Sequence, residues 1–123
     1  MPVQLINDVA LNIPAGATTT QTSPDFNNSG ARGVAVVLDM TNVGTGSVTL
    51  TIQGKDKASG KYYTLLAGAA VTTNSTNRYR VHPQAPVTAN VSANDALPTT
   101  WRIQVVANNA NAATYSVGAT LLA

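Results

Sequence analysis

Val48-Thr49-Leu50-Thr51-Ile52-Gln53-Gly54-Lys55-Asp56-Lys57-Ala58-Ser59-Gly60-Lys61-Tyr62-Tyr63-Thr64-Leu65-Leu66 is the stretch that decides the fold. Val48, Leu50 and Ile52 alternate with Thr49, Thr51 and Gln53. A period of two marks a strand with one buried and one wet face. Lys57-Ala58-Ser59-Gly60 supplies turn chemistry, and Tyr63 and Leu65 continue the alternation beyond it. The stretch therefore predicts a β-hairpin.

The same period recurs on both sides. Val3, Leu5, Val9, Leu11 and Ile13 share one parity, and so do Val34, Val36, Leu38 and Met40. Tyr79 and Val81 alternate with Arg78, Arg80 and His82. Trp101, Ile103 and Val105 alternate with Arg102 and Gln104, and Tyr115, Val117, Ala119 and Leu121 close the series. Gly44-Thr45-Gly46, Asn74-Ser75-Thr76-Asn77 and Asn94-Asp95 with Pro98 read as breaks, and Asn108-Asn109-Ala110-Asn111 as a hairpin-like link. Helix signals are poor: Glu is absent, and the Ala residues fall in short groups without helical spacing. The pattern predicts an all-β chain, an antiparallel β-sandwich or jelly-roll-like barrel of about 7–9 short strands. At 123 residues it is one domain. Residues 1–32 form an N-terminal arm, first strand and loop, and residues 33–123 the core. Thr18–Thr22 reads as a strand and Phe26 as an anchor. The N-terminal segment can pair within its own domain or add a strand to a neighbour, and the in-domain pairing is the simpler topology.

Composition narrows the chemistry. There is no Cys and one His, so disulfides, thiolate sites and histidine-cluster metal sites are excluded. No run of 18 apolar residues occurs, and Met1–Ala10 lacks the basic start and apolar stretch of a secretory signal. The expected setting is one reached without crossing a membrane. Charged residues make up 10% of the chain, against about 25% in an average protein. A surface built from Thr, Asn, Ser and Gln repels copies of itself weakly, which suits packing against itself or a large assembly.

Catalytic constellations are missing. Asp25, Asp56 and Asp95 fall in predicted turns, where Asp caps backbone groups, and Asp39 sits at a strand end. His82 precedes Pro83, and no Ser lies in a Gly-x-Ser-x-Gly elbow. Phosphate-loop and calcium-loop patterns are absent. The expectation is no enzyme, no cofactor and no metal. Lys55, Lys57, Lys61, Arg78, Arg80 and Arg102 with Tyr62 raise single-stranded nucleic acid as a partner. The net charge of +2 and the core parity of Tyr79, Trp101 and Tyr115 weigh against it. Sugar stacking would need exposed aromatics, for which Tyr62 and Phe26 are the candidates.

The quoted hairpin, with its Asp-x-x-Ser-Gly-Lys turn, aromatic pair and Thr64-Leu65-Leu66, resembles small β-sandwich structural proteins of tailed bacteriophages. So do Leu97-Pro98-Thr99-Thr100-Trp101-Arg102 and Tyr115-Ser116-Val117-Gly118. The resemblance spans about Gly33 to the C-terminus, and Arg78-Tyr79-Arg80-Val81-His82-Pro83 departs from it by being more charged. It implies a virion protein, a capsid decoration (cement) or minor head protein. Such a protein would be assembled in the host cytoplasm and bind the major capsid protein on the outer shell as a self-associating trimer, with no membrane partner. A tail- or fibre-associated module contacting a host glycan or another tail protein is the alternative. The expected assembly interface is Val3, Leu5, Val9 and Leu11 as an edge-pairing arm, with Arg78 and Arg80. On this expectation, deleting residues 2–13 abolishes capsid binding and leaves the domain folded.

Overall fold

The computed structural model describes residues 7–28 and 30–123. Ten strands follow one another along these residues: β1 (Asn7–Ala17), β2 (Gln21–Thr22), β3 (Phe26–Asn27), β4 (Gly33–Asn42), β5 (Val48–Lys55), β6 (Tyr62–Ala67), β7 (Ser75–Val81), β8 (Ser92–Ala93), β9 (Thr100–Ala107) and β10 (Ala113–Leu122). They make two sheets, ordered β1-β10-β4-β7-β8 and β2-β9-β5-β6, with β3 also on β9. All pairings are antiparallel except β7 with β8. The fold is a β-sandwich. Because the strands stay in two separate sheets, the sandwich rather than the barrel describes it. The expected count of about 7–9 strands falls short because β2, β3 and β8 have two residues each, too few to show a period.

The core lies between the sheets and is the alternation made solid. Val34, Val36, Leu38 and Met40 of β4 face Leu50 and Ile52 of β5 and Ile103 and Val105 of β9, all buried. Tyr79, Val81, Trp101, Tyr115 and Val117 complete it. Each fully buried Leu, Ile or Val contributes about 1.5–3 kcal/mol against solvent exposure. The intervening residues carry Thr, Gln, Ser and Arg outward, so both sheets have wet outer faces.

Four sequence expectations change. The first concerns β5 and β6, which do form the predicted hairpin, with Gly60 at φ +75° closing the turn. Its ladder slips, however: Ile52 faces Leu66 and Gln53 faces Thr64. Leu65 is the inserted residue of a bulge, so Leu66 rather than Leu65 is buried, and Tyr63 stands out at the sheet edge. Tyr63 finds room by lying over Gly54, where a Cβ would come within 2.6 Å of its ring. Second, Asn108–Asn111 is no hairpin. It carries the chain from β9 in one sheet to β10 in the other, as Gly44–Gly46 does from β4 to β5. Third, Ser75, Thr76 and Asn77 are strand, and the turn precedes them; Asn74 Oδ1 there accepts from the Val43 N–H at 2.8 Å. Fourth, Val9 sits opposite Gly118 and Leu11 opposite Val117, so Ala10 is inserted and the parity shared by Val9 and Leu11 is broken.

Residues 7–17 pair with β10 of their own chain. Deleting residues 2–13 would remove most of the described β1–β10 pairs, so this deletion takes away part of the sheet along with the arm. The short β2 and β3 hold the other end of this region against β9. Phe26 tilts onto Trp101 with ring centroids 4.9 Å apart. Buried Asn28 donates to the Ala31 and Leu97 carbonyls at 2.7 and 3.0 Å and accepts from the Ala31 N–H, satisfying its amide with backbone.

Candidate functional site

β7 carries the basic pair because its alternation points Tyr79 and Val81 into the core and Arg78 and Arg80 outward. β4 lies beside it, with Val37 opposite Arg78 and Ala35 opposite Arg80. On the other side the chain leaves His82, turns at Pro83–Pro86 and returns as β8. Ala85 is buried under this turn, and its N–H donates to the His82 carbonyl at 3.0 Å. Asn90 adopts a left-handed conformation (φ 63°), which a polar Asn tolerates better than most residues. The result is a face on which two arginines are bordered by apolar side chains left in water: Val37 at 36% and Val91 at 47% exposure. Among the described residues neither Arg78 nor Arg80 has an ion-pair partner; Asp39, diagonal to Arg78, accepts instead from the Thr76 hydroxyl at 3.2 Å. Two shallow hollows flank the pair. One of about 260 Å³ lies between Arg78, Arg80, Pro86 and Thr88, and one of about 380 Å³ between Arg80, His82 and Leu122.

The other residues expected at an assembly interface lie elsewhere. Val3 and Leu5 are outside the described residues. Val9 occupies a ladder position on β1, at the sheet edge three strands from β7, roughly 14 Å away at about 4.8 Å per strand. Leu11 on the same strand is half-buried against the core. The structure thus gathers Arg78 and Arg80 with Val37 and Val91, a group that the sequence does not show. Val37 was legible as the odd residue between core positions Val36 and Leu38. Val91 had no partner alternation to mark it.

The outer face of the second sheet holds a different cluster. The Tyr62 hydroxyl donates to Asp25 at 2.7 Å, and Lys55 pairs with the same carboxylate at 3.3 Å. The Arg102 guanidinium lies 3.5 Å above the Tyr62 ring and donates through Nε to Gln53 at 2.8 Å. The Tyr62 hydrogen bond, followed by the nearby Lys55, holds the Asp25 carboxyl below its ordinary range; the Asp25 hydrogen bond in turn raises Lys55. The network latches the β2–β3 loop onto the sheet. Asp25 is therefore a partner of side chains rather than a turn cap, whereas Asp56 does cap its turn through the Ala58 N–H and the Ser59 hydroxyl. Tyr62 and Phe26, the expected sugar platforms, are engaged by Arg102 and Trp101. The basic residues divide between opposite faces, Arg78 and Arg80 on one sheet and Lys55 and Arg102 on the other, so they line no common groove. His82 accepts from the Gln84 N–H on Nδ1, leaving Nε2 to face the Ala123 oxygen at 3.0 Å. Among the described residues no three His, Asp or Glu converge as a metal site.

No protein-family model matches the chain, and no curated protein matches it. Among solved structures, a chain from a structure of the infectious bursal disease virus Gt strain is similar over 98% of this chain, at 17% identity and a TM-score of 0.40. This chain spans 30% of that chain's length.

Proposed function

We propose that the chain is a structural virion protein that binds the outer surface of a tailed-phage capsid and stabilises the shell, acting as a trimer at local three-fold joints. The observation that carries this reading is the β7 face: unpaired arginines set among exposed valines on a rigid sheet. Arg is enriched at protein interfaces, and a sheet backbone fixes where it is carried, so only the side chain itself remains to be ordered on binding. The low-charge Thr- and Asn-rich surface supports close packing against a large assembly, and the hairpin and Trp101 segments supply the likeness to phage structural proteins. Binding only the assembled shell stabilises it by mass action, and repeated weak contacts add through avidity. The engagement of Tyr62 by Arg102 argues against the glycan-binding alternative.

Electron cryomicroscopy of virions with the chain labelled by a bound antibody fragment tests the location. The expected result is label over the capsid surface at a repeated lattice position. Label confined to the tail would overturn the reading.

A further inference from the structure

We propose that the free edge of β7 is a docking slot that takes an extended acidic segment of a partner protein by strand addition. β8 covers only the end of β7, facing Arg80 and Val81. There the Arg80 N–H donates to the Val91 carbonyl at 3.0 Å and the His82 N–H to the Ala93 carbonyl at 3.1 Å. Peptide groups two residues apart on a strand point the same way. The Thr76 and Arg78 N–H and C=O groups therefore aim at the same side, where β8 has ended. Among the described residues no hydrogen bond reaches them there. Ser75–Tyr79 thus offers roughly 16 Å of unpaired edge at about 3.3 Å per residue.

The space in front of this edge is shaped for a chain. A groove of about 460 Å³ runs along Ser75–Tyr79, walled on one side by Ala69–Thr73 and on the other by Ala89–Val91. Its walls are largely Ala, Thr and Asn, small enough for another backbone to approach. Strand addition draws affinity from the main chain and specificity from the side chains beside it. The side chain beside the slot is Arg78, which lines both the groove and the adjoining hollow and lacks an ion pair. A segment lying on the edge places one outward residue level with Arg78, and a cross-strand pair of opposite charge is the favourable choice there. Arg80 and the net charge of +2 disfavour a basic occupant. The occupant is therefore a short β-forming segment with an Asp or Glu near its middle and no central Pro, whose missing N–H would break the added ladder.

The inference stands on the slot and is independent of the capsid reading. Its test is selection of a random heptapeptide display library on the purified full chain, with amide hydrogen exchange on the complexes recovered. The expected peptides carry a central Asp or Glu. They bind Arg78→Glu at least about tenfold more weakly, lose affinity as salt rises, and slow exchange at Thr76 and Arg78. Arg78 is exposed, so this variant keeps the fold, which its unfolding curve checks. No enrichment, enrichment of peptides without acids, equal binding to Arg78→Glu, or unchanged exchange at Thr76 and Arg78 would each overturn the proposal.

Discussion

At the residue scale the core is set by side chains that leave no slack. Ile103 and Leu50 are fully buried between the sheets. Replacing either with Ala should lower stability by about 2–5 kcal/mol, measured by urea unfolding. Gly33 is constrained from another direction: a Cβ there would stand 2.2 Å from the Val81 carbonyl oxygen, which is fixed backbone. Gly33→Ala should force β4 away from β7 and lower the unfolding midpoint, whereas Gly30→Ala, with open space around its Cβ, bears only the strain of its positive φ. Tyr115 sets the alkaline limit. Burial pushes its phenol up to about 12, above the ordinary 10.0. The folded state favours the neutral phenol, so this stabilisation is complete below pH 10 and is lost as pH rises toward 12. Tyr115→Phe should move the alkaline unfolding midpoint upward, followed by circular dichroism.

At the element scale the legible parts of the sequence were those with long alternation. β4, β5, β9 and β10 have eight to ten residues each, and their core parity holds over residues 34–40, 48–54, 101–105 and 113–121. Where a bulge inserts one residue, at Ala10 or Leu65, every later side chain changes face, and no local residue type announces it. Strand partnership was equally silent: Asn108–Asn111 has turn chemistry whether it closes a hairpin or crosses between sheets. The Asp25 latch needed a loop and two strands to meet in space, so neither Lys55 nor Tyr62 flagged it. Its lowered carboxyl stabilises the fold above about pH 4 and ceases to do so as pH falls through the lowered value. Asp25→Asn should therefore flatten the acid limb of stability against pH, read from urea melts between about pH 2 and 5. On β7, Arg78→Glu with Arg80→Glu should abolish capsid binding and leave the unfolding temperature within a few degrees of wild type, because both side chains are outward and unpaired.

At the scale of the whole molecule, two five-stranded sheets enclose one core, and the outer face of one sheet carries Arg78 and Arg80, neither in an ion pair, beside the exposed Val37. The fold class and the basic strand were readable from the sequence because both follow a period of two. Val91 beside the arginines was not, since loop geometry after Pro83 brings it back beside β7. On the proposed reading this face meets a coat lattice, and many copies bound at once stabilise the shell. The most direct test is co-sedimentation of the purified chain with expanded capsids assembled without it, followed by heating of the pellet. Saturable binding that raises the capsid melting temperature is the predicted result; sedimentation of capsids free of the chain, with an unshifted melting temperature, would contradict it.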